Sequence, residues 1–242
     1  MRRSPNLTEQ VRRHLKDQIL REGFADGRIP PETELAADLG VSRTTIRDAL
    51  GRLESEGAIH RRQGAGTFVN HAGLQIRSPL EEIWSYEEAL EAHGYTPSVE
   101  IVALDTEPAT PSLAESLSIA SGDPVLVIGK VFRENGDPVV LAYNRIPEQL
   151  VQEPFSEDDC LAPIYEFLEA QCRRYLGYYL SDLVPVSAPR SVADQLEVRR
   201  GTALLSFDEI GYDRDNIAVL QATSYFRDDL LRFRLIRRQV ES

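Results

Sequence analysis

The chain has 242 residues, 42% of them hydrophobic, 2 cysteines and a net charge of −12 at pH 7. That length accommodates a small domain of about 70 residues and a larger one with its own core. There is no run of about 18 apolar residues, and the start Met1-Arg2-Arg3-Ser4-Pro5 lacks an apolar signal core, so neither a helical membrane span nor a secretory leader is expected, and a soluble, cytoplasmic protein is.

Leu7 to Phe24 carries apolar residues at Leu7, Val11, Leu15, Ile19 and Leu20, the spacing of an amphipathic helix that stops at Gly23 and the Gly27 turn. A short second helix is expected between Ile29 and Gly40, with Pro30 and Pro31 at its start and Gly40 at its end. The run Val41 to Leu50 opens a third. Ser42 is its N-cap, Ile46, Ala49, Leu50 and Leu53 share a buried stripe, and Arg43, Thr44 and Arg47 face outward. Arg43 and Arg47 lie one turn apart, so both can reach bases or phosphates from a helix N-terminus in a major groove. Taken alone, these residues also suit a surface helix with solvated arginines. The flanks favour the first reading, because two helices joined by so tight a turn make a helix-turn-helix. After Gly57, Ala58 to Arg62 and Thr67 to Val69 are β-prone runs around Gln63-Gly64-Ala65-Gly66, a hairpin wing. Glycine at its tip lets the backbone approach a sugar-phosphate strand, with Arg61 and Arg62 as phosphate partners.

Residues 7 to 69 resemble the winged helix-turn-helix of the GntR family of bacterial transcription regulators. The resemblance is carried by Pro30, Glu32, Leu35, Ala36, the run Val41 to Leu50, Leu53, Gly57, Gly64, Gly66, Thr67 and Val69. It implies DNA contacts from Arg43, Thr44, Thr45, Arg47 and Gly64; Glu32, Thr33, Ser42, Arg61, Arg62 and Gly66 complete the candidate DNA-binding set. Thr33 stands where relatives often carry a DNA-contacting arginine, so the operator is expected to differ accordingly. Charge follows the same division. Residues 1 to 71 hold 12 Lys and Arg against 10 Asp and Glu, and the remainder 15 against 29. An acidic body would repel nonspecific DNA and leave contact to the head, or would simply aid solubility.

Residues 71–79 read as a linker between domains at 1–70 and 80–242, with Leu74 and Ile76 able to pair as a first strand. A helix is expected from Leu80 to Gly94 with Ile83, Trp84, Ala89 and Leu90 inward. Beyond it lies a duplication at an offset of 79 residues. Ser112 to Leu117 matches Ser191 to Leu196, Gly122 matches Gly201, Leu126 matches Leu205, and Gly136-Asp137 matches Asp215-Asn216, without a gap. Each copy reads as a helix, a glycine turn and a β-hairpin: Val125 to Phe132 with Val139 to Ile146, and Ala203 to Tyr212 with Ile217 to Phe226. A helix from Ile164 to Leu176 joins the copies, and Ser98 to Asp105, Tyr178 to Val186 and Arg232 to Val240 supply further strands. The expected fold class is α+β: an N-terminal winged helix-turn-helix joined to one antiparallel sheet with pseudo-twofold symmetry and helices on one face. A cleft between the related halves suits a small molecule.

This layout is similar to UTRA, the effector-binding domain of the HutC subfamily of GntR regulators, chorismate lyase-like in fold. The similarity spans residues 75 to 240 and is carried by Leu117, Gly122, Gly136-Asp137-Pro138, Ile164-Tyr165, Leu196, Gly201 and Arg227-Asp228-Asp229. Phosphosugar-responsive relatives carry an Arg-x-Arg pair in the first hairpin, where this chain has Lys130 and Phe132. Replacing a guanidinium with a phenyl ring removes bidentate anion recognition, so the resemblance implies an effector with one anionic group and an apolar body. Candidate effector contacts are Ser85, Lys130, Phe132, Arg133, Tyr143, Glu209, Tyr225 and Arg227. Phe132, Leu141 and Phe226 also suit plain strand core.

Cys160 and Cys172, twelve apart without CxxC, read as buried free thiols, and the four histidines are scattered, so neither a metal nor a cofactor is expected. The leading function is a metabolite-responsive regulator, usually a repressor in this family, binding a palindromic double-stranded DNA operator as a homodimer, with no membrane partner. The alternatives are an architectural DNA-binding protein whose second domain only dimerises, and a lyase-like enzyme. No nucleophile–base pair supports the latter, and the chain is not expected to be an enzyme.

Overall fold

The computed structural model describes residues 7–21, 23–62, 64–70, 83–92, 94–227 and 233. The linker assigned to 71–79, the strand at Leu74 and Ile76, and the strand from Arg232 to Val240 lie outside them, apart from Phe233. The chain divides into two compact units.

In the N-terminal unit, α1 (Leu7–Leu20), α2 (Glu32–Leu39) and α3 (Arg43–Ser55) pack around Val11, Leu15, Ile19, Leu35, Ile46 and Leu50. Leu7 and Leu20 are exposed, because Leu7 opens the helix and Leu20 lies a hundred degrees around from Ile19. Gly40, left-handed at φ 64°, ends α2, and Val41 and Ser42 are all that separate it from α3. The wing is β2 (Ile59–Arg62) and β3 (Gly66–Val69). Arg28–Ile29 forms β1, which adds to β3 on the far side and is too short to leave a periodic signal in sequence.

The second unit begins with α4 (Tyr86–Ala92), later than the helix expected from Leu80. Ser85 and Glu88 close a capping box that fixes this start: the Glu88 amide donates to the Ser85 hydroxyl and the Ser85 amide to the Glu88 carboxylate, both at 3.0 Å. Ile83 precedes that cap and is exposed rather than inward. The chain continues through β4 (Pro97–Pro108), α5 (Pro111–Leu117), β5 (Pro124–Glu134), β6 (Asp137–Pro147), α6 (Glu157–Leu161), α7 (Ile164–Cys172), β7 (Leu176–Ser187), α8 (Arg190–Gln195), β8 (Ala203–Asp213) and β9 (Ala218–Phe226). The joining helix ends at Cys172, four residues before the expected end, because Arg173 turns left-handed at φ 53° and releases Leu176 to begin β7.

The strands form one antiparallel sheet in the order β4-β5-β6-β9-β8-β7, so the two copies meet at β6 and β9. β4 and β7 begin at residues 97 and 176, α5 and α8 at 111 and 190, and β5 and β8 at 124 and 203, each pair 79 apart. The gapless match does not extend to the last strand. Val127 opposes Arg145 while Ser206 opposes Tyr225, which is 79 on β5 and β8 but 80 on β6 and β9. The extra residue sits in the second hairpin turn, where the buried Asp213 carboxylate accepts the amides of Asp215 and Ile217 at 3.0 and 2.9 Å. Helices cover both faces rather than one. Leu126 and Ile128 pack on α6 and α7, whereas Val125 packs on α5 and Val131 on α8, so alternate residues of one strand serve opposite layers.

Candidate nucleic-acid interface and effector face

The first turn of α3 is held by its cap. The Thr45 amide donates to the Ser42 hydroxyl at 3.1 Å, and the two hydroxyls lie 2.8 Å apart, so Ser42 and Thr45 shape the turn with the groups that would otherwise face a ligand. Arg43, Thr44 and Arg47 are exposed on the same turn. Arg47 is steered by α2: its Nη2 and Nε lie 3.1 and 3.2 Å from Glu32 Oε2. Glu32 therefore positions an arginine, and Thr33 is exposed beside it.

In the wing, Gly64 (φ 75°) and Gly66 (φ 118°) both lie in the left-handed half of φ space, which admits glycine readily. Arg61 turns back to Glu54, with its Nε 3.4 Å from the carboxylate, while the Arg62 guanidinium stands 5.3 Å from the centroid of the Phe68 ring. Arg28, which the sequence pattern did not single out, donates from Nη2 to the Ala65 carbonyl at 3.1 Å and ties the wing tip to β1. It is the first residue of the two-residue β1, which leaves no periodic signal in sequence.

The candidate effector residues divide over the sheet. Lys130, Phe132 and Glu209 project to the face covered by α4, α6 and α7, and Ser85 caps α4 there. Tyr143 and Tyr225 belong to the opposite face, packed with α8. Arg133 and Arg227 brace the first hairpin: Arg133 pairs with Glu197 at 2.8 Å and Glu100 at 3.3 Å, and Arg227 donates to the Pro138 carbonyl at 3.0 Å. Strand alternation makes this division unavoidable, so the eight do not form one site.

The α4 face holds a buried polar cluster. Lys130 is 2% exposed and donates to the Ala162 carbonyl; burial pulls its amine down to about 8, against the opposing pull of Glu87. Tyr86 rests edge-on against Phe132 and Phe226, with ring centroids 5.0 and 5.5 Å away, and its hydroxyl meets the buried Ser224 hydroxyl. Burial raises the Glu209 carboxyl above its ordinary value, an effect opposed by the bond from the Ser181 hydroxyl. Burial also raises Tyr86 and Tyr179. Tyr86, Ser181 and Ser224 were missed in sequence, since nothing in a single strand or cap indicates which residues will face each other across the sheet. The cluster brings together one cation, one weakened acid and aromatic rings.

Residues 7–69 match the gntR family of bacterial regulatory proteins and residues 92–232 match the UTRA domain. The chain is 28% identical over 225 residues to the HTH-type transcriptional repressor NagR of Bacillus subtilis, covering 93% of this chain and 91% of that protein. It is 31% identical over 232 residues to the HTH-type transcriptional repressor PhnF of Mycolicibacterium smegmatis, covering 94% and 91%. The crystal structure of the possible transcriptional regulator YydK from Bacillus subtilis shares the fold at a TM-score of 0.77 and 18% identity, over 97% of this chain and 100% of that one. With a helix-turn-helix presenting arginines and, later in the chain, a duplicated sheet, the chain belongs to the gntR family of bacterial transcription regulators and carries its UTRA domain.

Proposed function

We propose that this regulator is a cytoplasmic repressor that binds a palindromic operator as a homodimer and leaves it when a small molecule enters the second domain. The observation that carries this reading is the exposed triad Arg43, Thr44 and Arg47 on one helical turn, with Arg47 aimed by Glu32 and a glycine-tipped wing in the same unit. One head buries too little surface for a tight specific complex, and two heads at fixed spacing match a twofold operator. Residues 1–70 are assigned to DNA, 71–79 to the linker and 80–242 to effector binding and dimerisation. The α4 face is assigned to the effector, for which Lys130 supplies one cation and Phe132 and Phe226 the apolar contact. An effector with one anionic group and an apolar body fits these groups.

The test is fluorescence anisotropy on a palindrome selected from random DNA, with dimer stoichiometry read by ultracentrifugation. Two chains per palindrome, and release by an aromatic or aliphatic acid, are the expected results. Binding of one chain to a half-site with undiminished affinity, or release by phosphosugars alone, would overturn the reading.

A further inference from the structure

On the other face of the sheet, under α5, lies a cavity of about 410 Å³, within the range of small-molecule sites. We propose that it is a separate ligand site for a small hydroxylated monocarboxylate, whose carboxylate is taken by Arg145.

Arg145 is half-buried, and among the described residues its polar contacts are one neutral amide, Gln221 Oε1 at 2.9 Å, and the Tyr143 ring, whose centroid is 5.9 Å away. Three other arginines of the domain show the contrast: Arg133 meets Glu197, Arg173 meets Glu153 and Arg174 meets Asp213. A guanidinium partly withdrawn from water, with no carboxylate bonded to it among the described residues, favours a ligand that supplies one. Gln221 and Thr223 set its geometry. Gln221 accepts from Arg145 and donates from Nε2 to the Thr223 hydroxyl oxygen at 2.9 Å, which leaves the Thr223 proton to be given elsewhere. All three side chains line the cavity, so its floor offers hydrogen-bond donors and a positive charge. Ser112 and Ser116 on the α5 wall suit ligand hydroxyls, and Glu107 in the lining disfavours a second negative charge, as on a phosphate ester.

The pseudo-twofold supplies an independent argument. Across the sheet, the equivalents of Arg145, Gln221 and Thr223 are Tyr225, Leu141 and Tyr143. There α8 closes over them in a packed apolar core that includes Val192 and Leu196. The same architecture is therefore satisfied by apolar residues, and the polar trio under α5 is not required by the fold.

The probe is D-ribonate, titrated into the full chain by calorimetry beside neutral ribitol and ribose 5-phosphate. One ribonate per chain is expected, with ribitol and the phosphate at least about tenfold weaker, and with a loss of about tenfold or more in Arg145→Met, as for a charge-assisted pair. Arg173→Met on the exposed surface keeps the wild-type affinity. Because Arg145→Met can disturb folding, the wild-type protein is also treated with phenylglyoxal and mapped by peptide mass, and ribonate is expected to protect Arg145 but not Arg173. Absence of binding up to about 10 mM, equal binding of ribitol, undiminished binding by a folded Arg145→Met variant, or unprotected Arg145 would each overturn the proposal. DNA release plays no part in these measurements, so their outcome is separable from that of the repressor reading.

Discussion

Arg47 and Glu32 show how one carboxylate can set the aim of a DNA-reading side chain. The pair is exposed on the Arg47 side, so it contributes little to stability, and its effect is on direction. Arg47→Ala is expected to weaken operator binding by about 1–3 kcal/mol, read by anisotropy. Glu32→Gln should narrow the gap between operator and scrambled DNA, because a freed guanidinium contacts phosphates indiscriminately; an unchanged gap would remove Glu32 from the positioning role. Lys130 makes a different kind of prediction. Its amine titrates at about 8 when folded and near 10.5 when not, so burial of the charged form costs stability in full below about pH 8, and the cost is relieved as pH rises towards 10.5. Lys130→Met removes that dependence. Relative to the wild type, the variant should lose up to about 3 kcal/mol of any advantage between pH 7 and pH 10 in urea melts, whatever the constant effect of the lost Ala162 contact. Parallel curves would mean that the amine is not desolvated.

At the level of elements, caps and turns determine where the functional segments begin. Ser42→Ala should cost about 1 kcal/mol in thermal unfolding by leaving the Thr45 amide without its side-chain acceptor, and should also loosen the turn that presents Arg43 and Arg47. A melting temperature equal to that of the wild type would show that water replaces the cap at no cost. The elements legible in the sequence were those with local signals: the Ser42 cap, the Gly40 stop, the glycine wing, and the repeat at constant offset. β1 was not legible, because two residues hold no period and Arg28–Ile29 is a strand only through β3. The five-residue α6 was missed for the same want of length. The effector set was misassembled for a different reason. Alternation says that Phe132 and Tyr143 project to opposite faces, but which helix covers which face is a tertiary fact, and expecting helices on one side alone merged two environments.

For the whole molecule, charge is the property that links the parts. The mildly basic first 71 residues and the acidic remainder imply that DNA affinity rests on a few phosphate contacts against an unfavourable field, which salt screens at about 8 Å under physiological conditions. Replacing Arg62 with alanine is expected to make the slope of log affinity against log salt shallower by about 1 per head, hence about 2 for a two-headed complex, while leaving base preference unchanged. A shift in base preference would place Arg62 among the reading residues.

The duplicated sheet also bears on how its two copies depend on each other. A half-domain ending at β6 would expose a strand whose residues Val139 to Ala142 are all buried in the present chain, so a free-standing half would need a second copy of itself to cover that edge. Within one chain that partnership is permanent, and the two copies need not be alike. The patch under α8 carries the packing, while the pseudo-equivalent patch under α5, built from β6 of one copy and β9 of the other, carries Arg145, Gln221 and Thr223. In that sense the redundancy of the fold is its source of novelty: one of two pseudo-equivalent patches keeps the packing, and the other can differ in chemistry without endangering it.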